Sequence, residues 1–147
     1  MEEVHGRCSC GAIEYKFWAE QLVAYQCHCS ICRRATGSAF STTLMARKDA
    51  FTWLRGFEAI SSYAKENGYK VNFCSHCGSP VPNDFRDYSL LSVPVGSIVD
   101  APRLKVAVQL YLGSKAEWDK QTPESAQFDE MPSLREMLTL LGVHGQP

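Results

Sequence analysis

Short runs of alternating apolar and polar residues dominate this chain. Ile13, Tyr15 and Phe17 alternate with Glu14 and Lys16, the period of a strand with one buried face. Leu22–Gln26 reads as another strand and delivers the chain into Cys27. Further strands are expected over Ala39–Ala46, Phe51–Leu54 and Ala59–Ala64. Glu66-Asn67-Gly68 marks a hairpin, because Asn-Gly accepts positive φ at both turn positions. Tyr69–Phe73 alternates again and runs into Cys74. Pro80 and Pro82 confine the next segment to a sheet edge or a loop, since proline cannot donate to a ladder. Leu90–Val95 and Leu104–Leu112 complete the strands, with a turn from Gly96 to Pro102 between them. Helical turns are expected at Arg33–Gly37, closed by its glycine, and at Ser114–Asp119. Thr122–Pro132 reads as a polar surface loop. The end of the chain has helical spacing. There Ser133 caps Leu134–Leu141, Glu136 completes a capping box, and Gly142 stops the helix. The class is mainly β, with about eight short strands in several small sheets and a short C-terminal helix.

A length of 147 residues suits one domain with a real hydrophobic core, so residues 1–147 are read as a single domain. The formal net charge is -1 and no strongly basic run is present. Nucleic acid is not an expected partner, because backbone binding rests on clustered Lys and Arg. The acidic start, Met1-Glu2-Glu3-Val4-His5, has neither part of a signal peptide. The longest apolar run is too short for a membrane span. The expected location is the cytoplasm, where thiols stay reduced.

Seven cysteines then need a reason other than disulfides. Each lies in a Cys-x-Cys or Cys-x-x-Cys step, which points to metal. Two partitions are open. Cys29-x-x-Cys32 and Cys74-x-x-Cys77 could share one ion as in a zinc ribbon, leaving Cys8, Cys10 and Cys27 over. Alternatively, Cys8, Cys10, Cys74 and Cys77 form a closed set, and Cys27, Cys29 and Cys32 form another. The second partition is preferred, because it uses every cysteine and keeps neighbouring sulfurs together. It implies two zinc ions per chain, one structural and one reactive. Cys27 and Cys29 share a face of an extended segment, so His28 points away. His28 is read as a hydrogen-bonding group rather than a fourth ligand, and His76 as a solvent-facing turn residue.

Three thiolates make a divalent ion a weak Lewis acid, so activating water is not its best task. Deprotonating a fourth, incoming thiol is. Arg33 and Arg34 follow Cys32 directly and are candidates for binding the substrate's negative charge.

These blocks resemble the family of glutathione-dependent formaldehyde-activating enzymes, which includes the centromere protein V relatives. The resemblance rests on Cys8-Ser9-Cys10-Gly11, on Cys27 to Arg34 with Gly37, and on Phe73-Cys74-Ser75-His76-Cys77-Gly78-Ser79. Gly96-Ser97, Asp100, Pro102 and Ser114–Trp118 extend it. It implies a β-tent fold of small antiparallel sheets. It also implies structural zinc on Cys8, Cys10, Cys74 and Cys77, and catalytic zinc on Cys27, Cys29 and Cys32. The implied activity is that of a carbon–sulfur lyase, joining glutathione to formaldehyde as S-hydroxymethylglutathione.

The competing reading is a non-catalytic zinc scaffold. The open three-cysteine site favours the enzyme, since a scaffold needs no unfilled position. Exposed strand edges, with Trp53 or Trp118, permit a homo-oligomer.

Overall fold

Tyr15 and Phe17, two residues apart on one strand, are both fully buried, as the alternation requires. The computed structural model describes residues 1–101, 103–120 and 124–142. Pro102 and the first part of the loop expected from Thr122 lie outside the described residues. The chain divides into two units, Met1–Ala116 and Glu117–Pro147.

The first unit holds β1 (Glu2–Arg7), β2 (Glu14–Ala19), β3 (Val23–Cys27), α1 (Ser30–Thr36), β4 (Ser41–Arg47) and β5 (Phe51–Arg55). It continues with β6 (Ile60–Ala64), β7 (Lys70–Cys74), β8 (Pro80–Val81), β9 (Asn83–Asp84), β10 (Leu90–Pro94) and β11 (Lys105–Leu110). They form three sheets in the orders β1-β2-β5, β11-β3-β4-β10-β9 and β6-β7-β8, none of them a closed barrel. The ladders are antiparallel, except that β11 runs parallel to β3. The second unit holds α2 (Leu134–Leu140), capped by the Ser133 hydroxyl, which accepts from the Glu136 N–H at 3.2 Å. The fold is mainly β with small sheets and a short C-terminal helix, as the pattern predicts.

Strand β1 departs from the pattern. It pairs with β2 over its whole length, yet Val4 is its one large apolar residue facing inward. Gly6 leaves room for the Tyr15 ring; a Cβ there would stand 2.1 Å from Tyr15 Cζ. The helical turn expected over Ser114–Asp119 is replaced by a 3-10 turn at Leu112–Ser114. Pro80 lies in β8, the outer strand of its sheet, as its missing N–H requires.

Two clusters make the core of the first unit. The larger joins Val4, Tyr15, Phe17, Leu44 and Val93. Each such side chain contributes about 1.5–3 kcal/mol on burial. The Tyr15 hydroxyl donates to Ser97 Oγ at 2.6 Å, and Ser97 donates onward to the Pro94 carbonyl at 2.7 Å. Ser97 therefore makes it possible to bury a phenol. The smaller cluster is built on Cys8, Ile13, Ala59, Cys74 and Val81. Trp53 packs against both.

Candidate metal centre

Loops at two strand ends bring the first cysteine set together. Cys8 and Cys10 follow β1, in a turn closed by the Cys8 N–H to Ile13 O (3.1 Å) and the Gly11 N–H to Cys8 O (3.0 Å). Cys74 ends β7, and the Gly78 N–H returns to its carbonyl at 2.8 Å, folding Cys77 back over it. The Ser9 N–H donates to Ser79 Oγ at 3.0 Å and ties the two loops together. The sulfurs of Cys8, Cys10, Cys74 and Cys77 all lie within 4.8 Å of one another. Cys8 and Cys10 are 3.6 Å apart, and Cys10 and Cys74 are 3.8 Å apart. A tetrahedral thiolate-bound ion with bonds of about 2.3 Å spaces its ligands about 3.8 Å apart, so this set fits one ion. Cys8 and Cys74 are buried, while Cys10 and Cys77 are exposed.

Electrostatics within the set are uneven. The Ser79 hydroxyl and backbone N–H, then the Cys10 N–H, bring the Cys77 thiol down to about 5. Cys10 moves up to about 11: the Ala12 N–H lowers it, but the neighbouring Cys8, Cys77 and Cys74 groups and burial outweigh that. Sulfurs this close cannot all ionise without a cation.

The second set sits where β3 meets α1. Cys27 ends β3, Cys29 is the N-cap of α1, and Cys32 lies one turn inside. Cys29 Sγ accepts the Cys32 N–H at 3.4 Å, so the thiol does the work usually done by Ser or Asp. These three sulfurs also lie within 4.8 Å of one another. Burial pushes the Cys32 thiol up to about 12, against a lowering hydrogen bond from Ser41. Cys29 moves down, because hydrogen bonds from the Cys32 N–H and from the Cys32 and Cys27 thiols overcome its burial. Between the ligands, His28 is buried and its Nε2 stands 2.6 Å from Gln109 Oε1. The sequence-based partition of the cysteines is therefore the one that the geometry assembles. The alternative pairing of Cys29 and Cys32 with Cys74 and Cys77 brings no four sulfurs together among the described residues.

A cleft of about 1070 Å³ opens beside the second set, lined by Cys27, Cys29 and Cys32. From the first set, Cys8 reaches the cleft, while Cys10, Cys74 and Cys77 do not line it. Helix α1 contributes Ile31, Cys32, Ala35 and Thr36 to its wall, but not Arg33 or Arg34. Arg34 is exposed, and Arg33 is half-buried, with Nε lacking a hydrogen-bond partner among the described residues. Positive charge on the wall comes instead from Arg7, Lys70 and Arg86. Among the described residues, Arg86 (φ 51) and Tyr111 (φ 55) are the non-glycine residues with left-handed backbone. Both line this cleft. Such a conformation costs on the order of 1–3 kcal/mol and gathers at functional sites. Sequence reasoning missed Arg7, Arg86 and Tyr111, since no spacing or motif marks them.

Residues 3–114 match the model of the family described as glutathione-dependent formaldehyde-activating enzyme. The chain belongs to this family. The match takes in all seven cysteines and ends before the second unit. A Halomonas elongata protein named "Putative glutathione-dependent formaldehyde-activating enzyme" is 29% identical over 124 residues, 78% of each chain. A crystal structure of a Rhodobacter sphaeroides protein superposes with a TM-score of 0.57 at 27% identity. It covers 71% of this chain and 98% of its own. Among the described residues no helix is long and apolar enough to cross a membrane.

Proposed function

We propose that this protein joins a small thiol, glutathione or a close analogue, to formaldehyde, and also cleaves the adduct, as a carbon–sulfur lyase. The observation that carries this reading is the three-cysteine set on the wall of a cleft of about 1070 Å³. A site meant only to hold the fold together would have a full set of four ligands, as the other cysteine set offers. Zinc is the proposed metal at both sets, two ions per chain, because close-set thiolates at tetrahedral spacing suit it. At Cys27, Cys29 and Cys32 it would supply a fourth position where a thiol gives up its proton.

The chain's own residues do the rest. The cleft has the volume of a small-molecule site and room for a tripeptide. Arg7, Lys70 and Arg86 face it with positive charge suited to carboxylates. Lys70 is shared with Asp84, whose carboxylate lies 3.8 Å away and also pairs with Lys48 at 2.7 Å. Arg7 and Arg86 are therefore the better carboxylate holders. In this reading Arg33 and Arg34 add to the field around the site rather than touch the ligand. A cytoplasmic location suits this reading, because thiols such as glutathione stay reduced there.

The test combines metal stoichiometry with a glutathione titration of the cobalt-substituted protein. Two ions per chain and a spectral shift that saturates with glutathione are expected. One ion per chain, or a spectrum indifferent to glutathione, overturns the reading in favour of a scaffold.

A further inference from the structure

Tyr69 lies in the turn between β6 and β7, whose sheet supplies no ligand to the three-cysteine set. It nevertheless lines the same cleft as Cys27, Cys29 and Cys32. The hairpin that carries it is braced. The Lys65 N–H donates to Tyr69 O at 2.8 Å, the Gly68 N–H donates to Lys65 O at 3.1 Å, and the Tyr69 N–H donates to Asn67 Oδ1 at 3.1 Å. The ring is thus delivered from a fixed turn. Among the described residues, the hydrogen bonds of Tyr69 are made by its backbone. Its hydroxyl is left for whatever enters the cleft.

Two other hydroxyls on the wall are engaged. Tyr25 also lines the cleft, but its hydroxyl bonds with Thr43 and Ser92 of its own sheet. Ser41 bonds to the Cys32 thiol. Tyr69 is half-buried. Its burial, followed by the charges of Cys32, Cys29 and Cys27, lifts its hydroxyl to about 12. At that value it keeps its proton at neutral pH.

We propose that Tyr69 is a catalytic residue, whose phenol donates to the aldehyde oxygen as a thiol sulfur held at Cys27, Cys29 and Cys32 bonds to the aldehyde carbon. This rests on the function proposed above. The new carbon–sulfur bond takes a sulfur electron pair. The carbonyl π bond breaks, and its pair moves to oxygen. That oxygen takes the phenol proton, and the phenolate recovers one from water. The thiol has already released a proton to solvent, so thiol plus aldehyde balances against hemithioacetal with nothing oxidised or reduced. Cleavage runs the same path backwards. A donor aimed at oxygen that becomes negative acts in the transition state more than in the ground state.

Tyr69→Phe tests this by separating binding from turnover. Glutathione affinity is read from the cobalt spectrum, and adduct formation from exchange NMR at saturating glutathione, after subtracting the uncatalysed rate. The expected result is unchanged affinity with turnover lower by about a hundredfold or more. Turnover equal to wild type overturns the role of Tyr69 and leaves the proposed function standing. Loss of affinity and rate in equal proportion also overturns it, since Tyr69 then only shapes the cleft. A wild-type protein that binds glutathione without accelerating the reaction overturns both proposals together.

Discussion

His28 Nε2 donates to Gln109 Oε1 at 2.6 Å, and the Gln109 amide donates onward to Gln26 Oε1 at 2.9 Å. The second bond turns the amide nitrogen of Gln109 away from the ring, so its oxygen faces Nε2, and the ring proton must sit on that nitrogen. The His28 backbone N–H also donates to Leu110 O at 2.9 Å. The parallel strand β11 thereby clamps the segment that carries Cys27 and Cys29. Gln109→Ala strips a buried ring nitrogen of its acceptor. A loss of about 1–3 kcal/mol is expected, measured by urea denaturation of the metal-loaded protein. Metal affinity at the three-cysteine set should fall by about ten- to a hundredfold, because the segment loses its support. An unchanged denaturation midpoint would show that β11 is held by its backbone alone.

The two cysteine sets should respond differently to the same chemical change. Cys74 is fully buried in the smaller core cluster, beside Ile13 and Val81. Cys29 lies at a helix end on a cleft wall. Cys74→Ser is expected to unfold or aggregate the protein, because an ion held by this set would stabilise the fold on the order of 10 kcal/mol. Cys29→Ser is expected to leave the fold intact with about one ion fewer per chain. Circular dichroism and metal analysis on both variants decide the matter. Identical behaviour would abolish the distinction between a structural and a reactive set.

Tyr15 sets an alkaline limit. Burial pushes its hydroxyl up to about 12, against a lowering hydrogen bond with Ser97. In the unfolded chain the phenol ionises near its ordinary value of 10.0. Between these values the folded state holds a proton that the unfolded state has lost, so stability falls as pH rises. The contribution is fully present below pH 10, and about 2–3 kcal/mol is gone once pH passes the folded value. Thermal melts across that window should show the decline, and Tyr15→Phe should flatten it while lowering stability at neutral pH.

Most of this was readable from residues, and the exceptions share a cause. Strands with a buried face, such as β2, and the Ser133 cap of α2 declare themselves by period and residue type. Counting ligands left two cysteine partitions open and favoured the one in which the sulfurs stand together. Strand β1 escaped because Val4 is its one large inward residue, and its pairing depends on Tyr15 filling the space over Gly6. The cleft wall escaped for a different reason. Arg7, Tyr69, Arg86 and Tyr111 are far apart in sequence and meet only once three sheets are in place. Arg33 and Arg34 looked attractive because they follow Cys32, but a helical turn carries them off the wall that Ile31, Cys32, Ala35 and Thr36 form. Adjacency in a helix does not mean a shared face.

Gly56 links backbone geometry to the four-cysteine set. Its φ is 78°, and a Cβ there would lie 2.0 Å from the Ala12 carbonyl oxygen. That oxygen is main chain, so it cannot swing aside as a side chain would. Moving it shifts Ile13, whose carbonyl accepts the Cys8 N–H and whose own N–H reaches Cys8 Sγ at 3.3 Å. Gly56 also accepts the Ala59 N–H at 2.9 Å, and the Ala59 carbonyl accepts the Ser75 N–H at 2.8 Å, beside Cys74. One added methyl therefore strains both loops that supply the set. Gly37 is the control: it caps α1 at φ 63°, and a Cβ there would meet nothing within 4 Å. Gly37→Ala should cost about 1 kcal/mol from the left-handed backbone alone. Gly56→Ala should cost about 3 kcal/mol or more and release metal from the four-cysteine set at lower chelator concentration. Parallel chelator titrations of the two variants check this. Equal metal retention would mean that the Ala12–Ile13 turn is not what holds Cys8 in place.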